Sequence, residues 1–585
     1  MEDIASPVDE YENYLAETHA QNVSDYFEGL VRDSGVDEGA NAKTVAELKE
    51  LQSGVSKGNT RRTWWRVLRI AAIVSAVAAG VIGYQLGHIY LLLFGASALF
   101  IAAVFLKVNP VVKELNTQLA SLNAECEAKE AEAWQQMLPL NSLLSWGTAQ
   151  RLFEKTLPQF KFDNYFANDR LTDLHSTYGL SPELNHWRSV LYCQSGHLRG
   201  NPFAIVRFLH HWMGAKTYSG SLVINWTEKV QNQQGQWVTV QRSQTLVASV
   251  TKQHPEYGTH AGVIYGSESA PNLSFSRQPS KLSGRGDGRV TDWQMNRKVK
   301  SVERQARKAT KSGASSLTVM SNREFEALFN ATDRNNEVEF RMLFTALAQQ
   351  EMVKLLNDNA VGPGDNFGFT KSGAINLLDS AHLDTDELEG DPSKFRSFEL
   401  ADARKKFNDF HNQHFWATFF GFAPLLTIPL YQEERNVQST SPYEYNDDAC
   451  FWEHEAMANY LGQSNFQHAD SVTQNILRAG AQSAGAGASV VTVTAHGYRG
   501  VQRVDEIPTR GGDGRVHLVP VPWVEYIPVE QQSQMLVGAT ASRNPADHDG
   551  SARARDNWHQ AMSRNGHNPE WAVLRGVMAA SLFRR

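Results

Sequence analysis

Two uncharged runs near the start of the chain limit what it can become. Ile70 to Tyr84 carries no charged residue, and neither does Ile89 to Leu106. Between them lies the short polar break Gln85, Leu86, Gly87 and His88. Eighteen helical residues cover about 27 Å, close to the thickness of a hydrocarbon core. The pair therefore reads as a two-helix transmembrane hairpin over residues 64–107, meeting the lipid bilayer through residues 67–106. Arg61, Arg62, Arg66 and Arg69 precede it, Lys107 and Lys113 follow it, and the break holds no Lys or Arg. The positive-inside rule then places both flanks, and with them both termini, in the cytoplasm of an inner-membrane protein. Trp64 and Trp65 stand where an aromatic belt is expected, and Ala71, Ala72, Ser75, Ala76 and Gly80 allow close helix packing.

The rest of the chain is water-compatible. Mean hydropathy is −0.41 over 585 residues, so several domains are expected beside the anchor. Three scattered cysteines, Cys126, Cys193 and Cys450, argue against a disulfide framework and fit a reducing compartment. The acidic residues 2–12 do not have the form of a cleavable signal. Residues 1–60 hold 13 acidic and 4 basic side chains and read as an acidic, partly flexible segment with one short amphipathic helix near Val23 to Val31.

After the anchor, Val112, Leu115, Leu119, Leu122, Cys126 and Ala133 fall on a heptad seam. An amphipathic helix over 111–138 follows, its 111–133 face available to a protein partner, a second copy or the chain's own domain. Residues 140–435 read as an α+β cytoplasmic domain. "TYSGSLVINWTEKV", the turn "QNQQGQ" and "WVTVQRSQTLVASVTK" form a long antiparallel hairpin. "FWATFFGFAPLLTIPL", broken by Pro424 and Pro429, reads as a buried helix entering an extended segment. Residues 436–585 are expected as an added helix-plus-β region. In it "CFWEHEAMANYLGQ" and "SVTQNILRAG" are helical, "AQSAGAGAS" is a flexible connection, "GGDG" turns a hairpin, and "PEWAVLRGVMAASLF" closes the chain as a helix.

Several stretches invite a chemical reading. In "WEHEAMAN", His454 and Glu455 begin a zincin-like pattern, but that motif needs a second histidine four residues on, and position 458 is alanine. His468 is a more distant candidate ligand. His411 and His414, three apart, share a helical face. Packed or solvated histidines account for all four, and neither a cofactor nor a catalytic constellation is expected. Cys193 and His197 stand close together in "LYCQSGH". Lys281 to Lys311 holds ten basic and three acidic residues. Its helical part carries Arg297, Lys298, Lys300, Arg304, Arg307, Lys308 and Lys311, which suit a solvated face, the anionic leaflet or, less well, nucleic acid.

One resemblance spans this order of segments. The hairpin, the amphipathic helix, "GNPF" at Gly200 to Phe203 and the long β-hairpin come first. "EFEALFNATD", "EFRMLFTALAQQEMVKLL" and "DNFGF" follow, with Phe325, Phe329, Asp333, Leu343, Leu347, Met352, Phe367 and Phe369 carrying the likeness. Over roughly residues 65–385 the chain resembles an uncharacterised family of bacterial membrane-anchored proteins, a domain of unknown function. The resemblance implies an α+β cytoplasmic body on a hairpin anchor and supplies no activity and no catalytic residue. The function expected from all of this is a membrane-anchored scaffold or interaction protein. The alternatives are a membrane-associated, metal-dependent hydrolase and a binder of anionic lipid or nucleic acid.

Overall fold

The computed structural model describes residues 4–85, 91–181, 187–280, 297–298, 300–301, 304, 320–362, 364–435, 448–485, 488–540, 558–564 and 572–582. The chain is α+β and divides into two compact units.

The first unit takes in Met1–Ala20, Trp146–Gly390 and Asn412–Arg585. It holds two antiparallel sheets. The larger runs β1 Phe160–Phe162, β2 Arg188–Leu198, β3 Asn201–Gln231, β4 Trp237–Gly266, β5 Ser274–Arg277, β6 Phe367–Ser372 and β7 Ile375–Ser380, in the order β1-β2-β3-β4-β7-β6-β5. The smaller is built from β8 Ile476–Gly485, β9 Ala488–Arg510, β10 Val516–Ala539, β11 Val573–Arg575 and β12 Met578–Leu582, ordered β11-β12-β10-β9-β8.

The expected long hairpin is present as β3 and β4, in unbroken register from Phe203↔Tyr265 to Gln231↔Trp237. Its turn is fixed by Asn232, whose side-chain oxygen accepts from the backbone N–H groups of Gln234 and Gln236, and by Gly235 at φ +79°. β2 leaves β3 after His210, and β7 joins β4 only from Gly262, so residues 211–257 project beyond the sheet as a ribbon. β9 and β10 likewise run on beyond β8 and β12 and turn at the expected glycine-rich loop, closed by Gly511 N–H to Arg515 C=O at 2.8 Å. The two ribbons stack through Ile224, Leu246, Ala248, Val519 and Val521. Gly220 permits this approach, since a Cβ there would stand 2.0 Å from the Pro520 carbonyl oxygen. Lys252 adds an ion pair to Asp505 at 2.7 Å and lies over the Trp523 ring. The result is a two-layered β arm.

Helix Phe451–Leu461 ties the two sheets together, because Trp452 and Ala456 belong to the core of the larger sheet and Met457 and Ala458 to that of the smaller. Asn412–Arg585 thus share a unit with Trp146–Gly390. Two helices expected in that region are strands. In "SVTQNILRAG", Leu477 and Ala479 enter the core while Arg478 and Gly480 alternate with them, a period of two that places Ile476–Gly485 on β9. The expected flexible "AQSAGAGAS" is strand at 481–485 and 488–489, paired between β8 and β9, with 486–487 outside the described residues. The closing "AVLRGVMAASL" folds back at Gly576 (φ +64°) into β11 and β12, and pairing with β10 overrides the helix preference of its Ala, Met and Leu.

The N-terminal residues are docked, not loose. Gln432 accepts from the Ile4 N–H and donates to its carbonyl, and Tyr11 packs on Phe415, Phe419 and Phe420. Burial of Ile4, Val8 and Leu15 outweighs the local acidity.

The second unit takes in Gln21–Ser145 and Asp391–His411. Helices Glu38–Gln85 and Leu91–Leu143 form most of it. Val112, Leu115, Leu119 and Ala133 of the heptad seam are buried, with Leu119 against Gly58 of the preceding helix. That seam is therefore occupied by the chain's own helix. Phe27 and Phe395 pack on Phe407, and Arg404 pairs with Glu28 and Glu38. Among the described residues no helix is long and apolar enough to cross a membrane. Residues 86–90 and the side chains of 79–105 lie outside that description.

Candidate functional site

A polar cleft of about 560 Å³ lies in the first unit beside β2. Trp146, Gln150, Arg151, Asp163, Tyr192, Cys193 and His197 are among its lining residues. Glu389, Glu453 and Arg575 also line it.

Glu453 reaches the cleft because its helix is wedged between two sheets and has no solvent face at that point. One carboxylate oxygen accepts from the Phe166 N–H at 3.0 Å and from the Cys193 thiol at 3.3 Å. The other accepts from Arg575 at 2.7 Å. Arg575 donates also to Glu389 and lies over the Tyr192 ring. Burial and the adjacent Glu453 push the Cys193 thiol well above its ordinary pKa. Asp163 accepts a two-pronged contact from Arg170 at 3.1 and 3.2 Å, and a hydrogen bond from Ser195 at 2.7 Å.

Cys193 and His197 do not form a nucleophile–base pair. Four residues along a strand separate them by about 13 Å, and the thiol is turned to Glu453. The His197 Nδ1 accepts from the Gly200 N–H at 3.1 Å, and burial, followed by Arg170, lowers its pKa. Each carboxylate named here is thus held by a cation or by backbone N–H groups, and the thiol is protonated. The recess has the polarity to hold a ligand, while its charged groups act as struts.

The other sequence-derived candidates are dispersed. His454 is buried, its Nδ1 has no hydrogen-bond partner among the described residues, and burial lowers its pKa to about 4. Glu455 accepts from Val190 N–H at 3.1 Å and Ala479 N–H at 3.3 Å, and pairs with Arg478. That carboxylate braces β2 against β8. His468 accepts from the Asp470 N–H in a turn. His414 is buried in the first unit. His411, in the second unit, packs among Phe395, Phe407 and Phe410. Among the described residues no three His, Cys, Asp or Glu side chains gather as a metal site. Of the basic stretch, Arg297, Lys300 and Arg304 are exposed and Lys298 is half-buried; Arg307, Lys308 and Lys311 lie outside the described residues.

Sequence reasoning missed Arg575 and Glu389. Arg575 lies in a stretch that reads as helix, and 122 positions separate it from Glu453. No local pattern joins them.

No family model, curated protein or solved structure matches this chain. The likeness to membrane-anchored bacterial proteins rests on the order and pattern of residues alone.

Proposed function

We propose that the protein is a membrane-anchored cytoplasmic scaffold that presents its β arm to other proteins. The observation that carries this reading is the arm itself. Residues 211–231 alone extend about 70 Å, and the ribbon exposes Val223 (59%), Val247 (63%) and Trp237 (69%). Isolated exposed apolar residues are ordinary, but a projecting ribbon that carries them contributes little to its own core and much to surface. The cleft points the same way, because its carboxylates are spent on internal ion pairs. The anchor rests on the two uncharged runs at 70–84 and 89–106 and on their basic flanks. A tether of this kind raises the effective concentration of the arm for membrane-bound partners. The exposed Arg297, Lys300 and Arg304 favour an accessory contact with the anionic leaflet.

The test is alkaline carbonate extraction of bacterial membranes holding the full chain, followed by native sizing after mild detergent. The expected result is retention in the membrane pellet and migration as an assembly larger than the 65.3 kDa chain. Release by carbonate, or migration as a lone chain, overturns the reading.

A further inference from the structure

The arm offers four projecting strand segments, and they are not equivalent. An unpaired strand edge is a template for another strand, and proline blunts it by removing an N–H donor. β10 carries Pro520, Pro522 and Pro528 beyond its pairing with β12, β9 carries Pro508, and β4 carries Pro255. The projecting part of β3, residues 211–231, carries none. Beyond His210 its outer edge has no strand neighbour among the described residues.

The order of side chains on that segment is self-complementary. Set antiparallel to a second copy with Leu222 on the two-fold axis, Lys216 stands opposite Glu228 twice, once on each side. Tyr218 meets Trp226, Gly220 meets Ile224, Ser219 meets Asn225, and Thr217 meets Thr227. Lys229, the remaining charge of 212–231, faces Ala215. A shift of two residues either way puts Lys216 opposite Trp226 or Val230 and loses both Lys216–Glu228 contacts. A shift of one reverses the faces. Lys216 and Glu228 are both exposed. Glu228 also pairs with Arg242 of β4 within the same ribbon at 3.3 Å.

We infer that β3 is a homodimerisation edge: two copies join their arms through residues 216–228, antiparallel about Leu222, to make a continuous β4-β3-β3-β4 ribbon. This deepens the scaffold reading by naming its first partner as the chain itself, and it rests on that reading.

The test is charge reversal in the full-length, detergent-purified protein, read by native mass spectrometry. Wild type is expected as a dimer. Lys216→Glu places glutamates opposite each other at both contacts, and Glu228→Lys places lysines there. Each variant alone is expected to dissociate about tenfold more readily. An equimolar mixture of the two, carrying tags of different mass, restores both contacts and forms the heterodimer in preference to either homodimer. A monomeric wild type, single variants that dimerise as wild type does, or a mixture showing no heterodimer preference each overturn the inference. A monomeric purified protein that still enters large assemblies in crude membranes leaves the scaffold standing and removes only the self-pairing.

Discussion

Arg575 donates to Glu453 at 2.7 Å, with both side chains almost wholly removed from solvent. The contact locks the closing hairpin β11–β12 to the helix between the two sheets, and Glu389 holds the same guanidinium from a third segment. Removing one partner of such a pair leaves a buried charge uncompensated, which costs more than the pair contributes.

Arg575→Met is therefore expected to destabilise the first unit by about 3–5 kcal/mol. Thermal unfolding at pH 7 reads this as a lowered midpoint. Glu389→Gln leaves the Glu453 contact in place and is expected to cost clearly less. Equal losses for the two variants would show that Glu453 is not the anchor of the network.

Burial lowers the pKa of both His454 and His382 to about 4, against about 6.5 in an unfolded chain. Between those values the unfolded chain binds protons that the folded one does not. The stability these groups contribute is full above pH 6.5 and is lost as the pH falls toward 4. His454→Leu removes one such proton. Its urea midpoint is expected to match wild type near pH 7 and to fall less steeply between pH 6 and pH 4.5. An unchanged acid slope would place His454 in contact with water.

Cys193 and Cys450 are buried, with thiols held above their ordinary pKa first by desolvation. Cys126 is half-buried on a helix. Iodoacetamide at pH 7.5 is expected to alkylate the native protein at Cys126 alone, and at all three cysteines after unfolding. Native labelling of Cys193 would show that the cleft opens to admit reagent.

Gly220→Val would drive a side chain into the Pro520 backbone, since the Cβ position lies 2.0 Å from that carbonyl oxygen. The expected effect is separation of the stacked ribbons without loss of either sheet. Hydrogen exchange should quicken at 517–523 and stay unchanged in the helix at 451–461. Faster exchange in both regions would mean that the arm and body unfold together.

The sequence by itself determined the elements whose signal is local. The β3–β4 ribbon alternates over dozens of residues around a Gln/Gly turn, and the helices at 148–156, 337–343 and 346–357 carry their own apolar faces. The interruption of the zincin pattern at Ala458 is also visible in the sequence itself. Only the tertiary structure decided that β8, β11 and β12 are strands. Their short runs of Ala, Leu and Met suit either state, and pairing with β9 or β10 settles the choice. It also placed Ile4, Val8 and Leu15 of the acidic N-terminal segment in the core, because their burial outweighs their charged neighbours. The cleft was illegible for a simpler reason. Cys193, Glu389, Glu453 and Arg575 come from four distant segments, and periodicity reports only on neighbours along the chain. What unites them is a charge-balanced contact that forms once both sheets have closed on one helix.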